Sequence, residues 1–431
     1  MTTWLLSFSS AGFSAALPAT IRCAGSKHVH RLISTAHASD PAAADALIRK
    51  FLSSSSKSLS LHAISHLISN HHLSLALPVS NFKSHHLISN APWYNFNPKI
   101  AADMVALLEK HGLDSESKSV ISESVVNLGP KDLALFYVNL VESYSKQGLK
   151  QQVFESWQNF KQVPHNSSSL RRQSYVSMVS GLCALELPHD AEEVLDEMSS
   201  MGLGPSAFEF RVVVLGYGRC GLFSDMRRVL CKMEDFGFAL DTVCANMILS
   251  CYGLHKELFE MGSWLRRMKE LEISRSVRTY NSVLNSCSTI ILMIEEPKYL
   301  PLSIEGVLAK LTVDEVSVVR ELVSSGLLVE ILDWSSTDWK LDLHGLHLAS
   351  AYLIILQWLE ELRARLCVGA IIPLEISVVC GSGKHSNVSR KSPVKGLVSE
   401  MMFRMNSPLK IDRKNVGKFV AKGKTVKEWL C

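Results

Sequence analysis

The 431-residue chain carries 45 Lys and Arg against 41 Asp and Glu, a formal charge of +4, with 47% apolar residues and a slightly positive mean hydropathy. That much apolar surface excludes a wholly disordered chain. The longest apolar run, about 348–359 and interrupted by Ser350 and Gln357, is shorter than the ~18–20 residues a membrane-spanning helix needs, so no membrane partner is expected.

In chain order, the first element is an address. The first acidic residue is Asp40, and the preceding residues are rich in Ser, Ala and Thr with Arg22, Lys27 and Arg31. An acid-free, Ser-rich, basic start is the composition of an organellar transit peptide over 1–39. The low Arg content favours the chloroplast, with the mitochondrion as the alternative. Residues 40–133 read as a helical lead-in. Its histidines, His62, His66, His71, His72, His85 and His86, lack nearby carboxylates and read as hydrogen-bonded or exposed rather than metal-bound.

A repeat follows. Tyr175–Met198, Phe210–Met233 and Ala245–Met268 align without gaps, and both their starts and their closing methionines are 35 residues apart. Within the first unit, Tyr175, Met178, Val179 and Leu182 share one helical face, and Ala191, Val194, Leu195 and Met198 share another. Each unit is therefore two short amphipathic helices. An imperfect unit precedes them from about Ala134, and another opens at Val277 and loses its pattern near Pro297. The units cover about 134–168, 172–206, 207–241 and 242–276, with a partial unit from 277, inside a repeat region of 134–311. Such hairpins bury their apolar faces only by stacking, which predicts an α-helical solenoid.

The string Thr279-Tyr-Asn-Ser-Val-Leu284, and Glu192–Met198 followed by Gly202 and Pro205, resemble the pentatricopeptide repeat family. The resemblance implies single-stranded RNA as the partner, roughly one base per repeat. It places the reading side chains just after the opening aromatic (Val138, Val176, Arg211, Asn246, Asn281) and at the close of the repeat (Ser168, Ser206, Asp241, Ser276). Val138 and Val176 cannot hydrogen-bond a base edge, and by the resemblance only Asn246 and Asn281 are typical base readers. Arg211, Asp241, Asn246, Ser276 and Asn281 are the candidate binding residues.

Residues 312–337 read as a helical linker, with a helix ending at Asp333-Trp334. A short strand at 340–344 sets Leu341 and Leu343 on one face and Asp342 and His344 on the other. An amphipathic helix follows over 348–366, then a buried strand at 374–379, a Gly-x-Gly loop from Cys380, a helix over 393–404, and a strand near 418–421 with a strand return after it. This is a small α/β unit over 338–431. Residues 380–431 hold 12 Lys and Arg against 3 Asp and Glu, a charge of +9 against −5 for the remainder. That asymmetry predicts a polyanion at this end. The cysteines form no Cys-x-x-Cys pair and read as small buried hydrophobes without disulfides.

Leu341-Asp-Leu-His-Gly345 together with Cys380-Gly-Ser-Gly383 resembles the small MutS-related (Smr) domain. The resemblance implies nucleic-acid binding and, in some members, endonuclease activity. Cys380 stands where the family pattern has Thr. Asp342 and His344 are the candidate catalytic pair, with Asp342 also the candidate ligand of Mg2+ or another divalent cation. Gly381, Gly383, Lys384 and Arg390 are the candidate phosphate contacts. The alternative for Asp342 and His344 is a hydrogen-bonded staple of the strand. At the level of the whole chain, cleavage of organellar RNA stands beside a non-catalytic adaptor role, and organellar DNA or a protein stands as a further partner.

Overall fold

The computed structural model describes residues 97–324, 332–334, 338–367, 372–380 and 392–431. The transit-peptide segment, the histidine-rich segment, and Gly381, Gly383, Lys384 and Arg390 lie outside the described residues. The chain divides into two compact units, one up to Gly204 and one from Pro205.

The first unit holds three helical hairpins among its described residues. They are α1 (Pro98–Lys110) with α2 (Asp114–Asn127), α3 (Pro130–Gln147) with α4 (Lys150–Gln162), and α5 (Ser168–Ala184) with α6 (Pro188–Ser200). Proline opens α1, α3 and α6, where the missing N–H costs nothing. Gly148 closes α3 at φ +78, the left-handed cap that ends a helix without a Cβ penalty. The leading helices α1, α3 and α5 lie side by side. The predicted core faces of α5 and α6, Tyr175 to Leu182 and Ala191 to Met198, are buried.

The hairpin α1–α2 falls in the lead-in, where the sequence showed no repeat. Ser143 donates to Asp103 at 2.6 Å and Tyr144 to Glu109 at 2.8 Å, joining it to α3. Its signal was weak because α2 buries only Ser117, Val120 and Ser124 and so has no apolar stripe.

The second unit continues with α7 (Ala207–Arg219), α8 (Phe223–Asp235), α9 (Thr242–Leu254), α10 (Leu258–Glu270), α11 (Val277–Leu284) and α12 (Ser288–Glu295). Here α7, α9 and α11 pack in series. After α12 come α13 (Ile304–Leu308) and α14 (Val313–Val323), and α14 packs on α10. The last carbonyls of α14 have no partner within the helix. Arg275 takes Glu321 O at 2.6 Å, Tyr280 takes Leu322 O at 2.6 Å, and Gln357 takes Val323 O at 3.1 Å.

A five-stranded sheet follows in the order β1-β2-β3-β5-β4. The strands are β1 (Leu332–Trp334), β2 (Asp338–Asp342), β3 (Glu375–Val379), β4 (Lys410–Ile411) and β5 (Lys418–Lys422). Strands β2 and β3 are parallel, joined through α15 (Leu348–Cys367), while the other pairs are antiparallel. Helices α16 (Pro393–Arg404) and α17 (Gly423–Leu430) complete this part.

Four expectations change. Asp333-Trp334 lies in edge strand β1, paired with Lys340 and Trp339, rather than ending a helix. The segment after β5 is helix α17, whose Val426 is buried and whose Trp429 donates to Met405 O at 2.9 Å. Helix α15 is buried on all sides from Ala349 to Leu359 rather than amphipathic there, because α11, α12, α13, α16 and α17 surround it. Cys367 and Cys431 form a disulfide, because the ends of α15 and α17 meet. Among the described residues, no helix is long and apolar enough to cross a membrane.

Candidate nucleic-acid interface

In three of the repeats the closing residue is the N-cap of the helix that opens the next. Ser168 is instead the first residue of α5, which Ser167 caps. Ser206 caps α7 in a reciprocal box with Glu209, Asp241 accepts the Cys244 N–H at 2.9 Å to cap α9, and Ser276 caps α11 with Thr279. Ser and Asp at this place satisfy backbone donors that the helix start leaves orphaned. A cap fixed in this way holds its side chain at the edge of the repeat.

Two of these caps, Asp241 and Ser276, then meet the opening residue of their own repeat. Arg211 Nη2 donates to Asp241 Oδ2 at 2.8 Å. Asn246 Nδ2 donates to Ser276 Oγ at 3.1 Å, and its Oδ1 accepts from Thr279 Oγ1 at 2.7 Å. Both pairs bridge 30 residues. Asn246 is buried, whereas the Arg211 and Asp241 side chains are 25% and 48% exposed. An ion pair this open contributes little to stability, which leaves both groups ready to exchange partners.

A feature the sequence reading missed lies beside them. Phe208 and Val243 are large apolar side chains, 50% and 54% exposed. They are 35 residues apart, and each precedes its opening residue by three, on the same helix face. The signal was present as an apolar residue two places after each closing residue.

The C-terminal turn brings together the two strand ends that carry the α/β motifs. Leu343 N donates to Val379 O at 2.9 Å, so Asp342 and Cys380 emerge side by side from the ends of parallel strands. That edge of a parallel sheet is where α/β folds bind ligands. Asp342 Oδ1 accepts from the His344 backbone at 3.0 Å and from His344 Nδ1 at 2.5 Å, and Lys340 Nζ lies 3.4 Å from Oδ2. Partial burial opposes the Asp342 charge, but the two hydrogen bonds and the His344 and Lys340 charges outweigh it and lower its pKa. Burial pushes the Cys380 thiol up to about 12, so it stays protonated at neutral pH.

The PPR repeat model matches residues 173–203 and 210–238. Pentatricopeptide repeat-containing protein At2g17033 of Arabidopsis thaliana is 47% identical over 412 residues, covering 94% of this chain and 82% of the relative. The chain belongs to the pentatricopeptide repeat family. Pentatricopeptide repeat-containing protein ATP4, chloroplastic, of Zea mays is 22% identical over 274 residues, covering 60% of this chain and 39% of the relative. The crystal structure of PPR10 from maize aligns at a TM-score of 0.36 and 20% identity over 61% of this chain and 35% of that one. The chain thus spans most of the first relative and well under half of the other two.

In this pentatricopeptide repeat chain, the predicted binding residues have three placements. Arg211 with Asp241 and Asn246 with Ser276 form two pairs of one design. Asn281 is buried and joined to a different element: it donates to Gly345 O at 2.7 Å and accepts from the His347 backbone at 2.9 Å. Asp342 and His344 are joined to each other. For a cation the donor set does not fit, since Asp342 is already held by His344 and faced by Lys340. Among the described residues, no group of three or more His, Cys, Asp or Glu side chains is placed to hold a metal ion.

Proposed function

We propose that this protein binds single-stranded RNA in an organelle, the chloroplast first and the mitochondrion as the alternative, and acts in RNA processing or stability. The observation that carries the proposal is the duplicated pair, Arg211–Asp241 and Asn246–Ser276, each beside an exposed apolar side chain. Arg, Asp, Asn and Ser supply donors and acceptors for base edges. Phe208 offers a face on which an unpaired base stacks, a contact worth about 1–3 kcal/mol. The acid-free first 39 residues support import, and the Zea mays relative ATP4 is named as chloroplastic.

The C-terminal α/β unit, read as an Smr domain, adds the phosphate contacts and carries the possibility of cleavage. His344 is 60% exposed, and Asp342 holds its Nδ1, which fixes the tautomer and leaves Nε2 as the base. Nε2 takes the proton of a 2′-hydroxyl as its oxygen attacks the adjacent phosphorus. The 5′-oxygen leaves and takes a proton from water, giving a 2′,3′-cyclic phosphate and a 5′-hydroxyl. The adaptor reading is favoured by one observation: Asp342 is fully engaged in stapling the turn, and Cys380 is an inert buried thiol.

The test is binding of purified full-length protein to single-stranded RNA, duplex RNA and duplex DNA across a salt series. Preference for single-stranded RNA, weakened about tenfold or more by Asp241→Ala with Asn246→Ala, supports the proposal. Equal affinity for duplex DNA removes it. End mapping of cut RNA then separates the two roles. Cyclic-phosphate ends lost with His344→Ala support cleavage, and intact RNA throughout supports the adaptor. A fluorescent fusion to residues 1–39 that stays outside both organelles overturns the localisation.

A further inference from the structure

By the 35-residue register, Asn281 stands where Asn246 stands one repeat earlier. Asn246 spends its amide on Ser276, the closing residue of its own repeat, and on Thr279 in the first turn of the next. Asn281 spends its amide on the turn between β2 and α15, through Gly345 O at 2.7 Å and the His347 N–H at 2.9 Å. Asn285, one helical turn on, donates to His347 Nδ1 at 2.6 Å. Gly345 sits at φ +77, a backbone conformation a side chain would strain, and this turns its carbonyl to face α11.

The chemistry of the docking is specific. The turn offers Asn281 one acceptor and one donor. An amide side chain answers that complement with its own donor and acceptor, as it does on a base edge. The same turn carries Asp342 and His344. We propose that the turn fills the reading position of the last repeat, so that Asn281 reads no base and instead positions the Asp342–His344 pair at the end of the repeat face. This rests on the RNA-binding function proposed above. A strand held at Arg211–Asp241 and Asn246–Ser276 then meets His344 where the next base would otherwise be read. Asn281 is a positioning residue, and the last repeat is a docking repeat.

Three measurements on the full chain test this. The first needs no RNA: hydrogen exchange over 342–347. Asn281→Ala should speed exchange there about tenfold, as expected for a lost hydrogen bond at the His347 amide, and leave the 242–268 segment unchanged. Asn285→Ala, at an exposed position, should speed it less and keep the fold intact. Unchanged exchange in both variants overturns the docking.

The second is selection from randomised single-stranded RNA. Asn246→Asp should shift the preferred base at one position, and Asn281→Asp should shift none. A base switch with Asn281→Asp overturns the proposal. The third is crosslinking of bound RNA to the 342–347 segment. The crosslink should fall on one nucleotide beside the one governed by Asn246, and should spread over several with Asn281→Ala. A crosslink spread in the native protein, or unmoved in the variant, overturns the positioning role. If the native protein binds no RNA, the RNA-binding function fails while the exchange measurement still decides whether Asn281 docks the turn.

Discussion

Arg211 reaches from the first turn of α7 to the carboxylate of Asp241, 2.8 Å away, and Asp241 is the cap of α9. One carboxylate thereby does two jobs with different energies. Its Oδ1 satisfies the Cys244 N–H, and its Oδ2, on a half-exposed side chain, meets the Arg211 guanidinium. The cap dominates stability, because an exposed ion pair contributes little. Asp241→Ala should therefore destabilise the protein by about 1 kcal/mol, the usual cost of losing a cap. Asp241→Asn keeps the acceptor for Cys244 and should cost a few tenths at most. Thermal unfolding of the two variants checks the assignment, and equal losses would refute it.

The repeats also impose a steric rule that two glycines separate. A methyl placed on Gly218 would lie 2.7 Å from Cys251 Cβ and 2.9 Å from Met226 Sδ, both in buried residues. Gly218→Ala should cost about 1–3 kcal/mol through overpacking between neighbouring hairpins. On Gly262 the nearest atom would be Val318 Cγ1 at 3.5 Å, an ordinary contact. Gly262→Ala should instead stabilise, by up to about 1 kcal/mol of helix propensity. Opposite shifts in thermal midpoint are expected, and a drop for both would show that α10 and α14 are packed more tightly than described.

The repeat helices were legible because their cores recur. Tyr175, Phe210 and Ala245 are each buried, and a period of 35 carries the same face forward from one hairpin to the next. Strand β3 was legible from its β-branched run. Other features depend on partners far along the chain. Strand β1 is three residues long and exists through its pairing with β2. Strand β4 has two residues. Asn281 had the residue type and register of a base reader, and only the fold brings Gly345, 64 residues on, against it. Cys367 and Cys431 carried no spacing signal because helix packing joins them.

Glu315 gives a pH dependence of defined sign. It is buried, its Oε1 accepts the Thr289 N–H at 2.9 Å, and its Oε2 accepts the Thr312 N–H at 3.0 Å. It thus ties the start of α14 to the start of α12. Burial opposes its charge, but the Thr289 and Thr312 hydrogen bonds outweigh it and lower the pKa below the ordinary glutamate value. A carboxylate lowered on folding stabilises above its unfolded pKa, and that stability is lost as pH falls through the folded value. Glu315→Gln should cost about 1.5–3 kcal/mol at neutral pH, the worth of hydrogen bonds to a charged group. The gap from native should close as the solution is acidified through the carboxylate range. Thermal midpoints measured against pH test this, and a gap that stays constant would mean the charge plays no part.

The disulfide between Cys367 and Cys431 ties the end of α15 to the residue after α17, across a sequence separation of 64. In the chain-entropy account, closing a loop of that size restricts the unfolded chain by about 4 kcal/mol. Arg363 adds a hydrogen bond to Leu430 O at 3.2 Å on the same helix end. Reductant should therefore lower the thermal midpoint of the full chain. Cys431→Ser should lower it equally and make it insensitive to reductant. The buried thiols should not take part: burial pushes Cys287 and Cys380 up to about 12, while Cys231 is exposed. At neutral pH an alkylating reagent should label Cys231 well before Cys287 or Cys380. A midpoint unmoved by reductant would remove the staple. Rapid labelling of Cys380 would show that the end of β3 opens to solvent, and with it the edge of the sheet on which Asp342 and His344 stand.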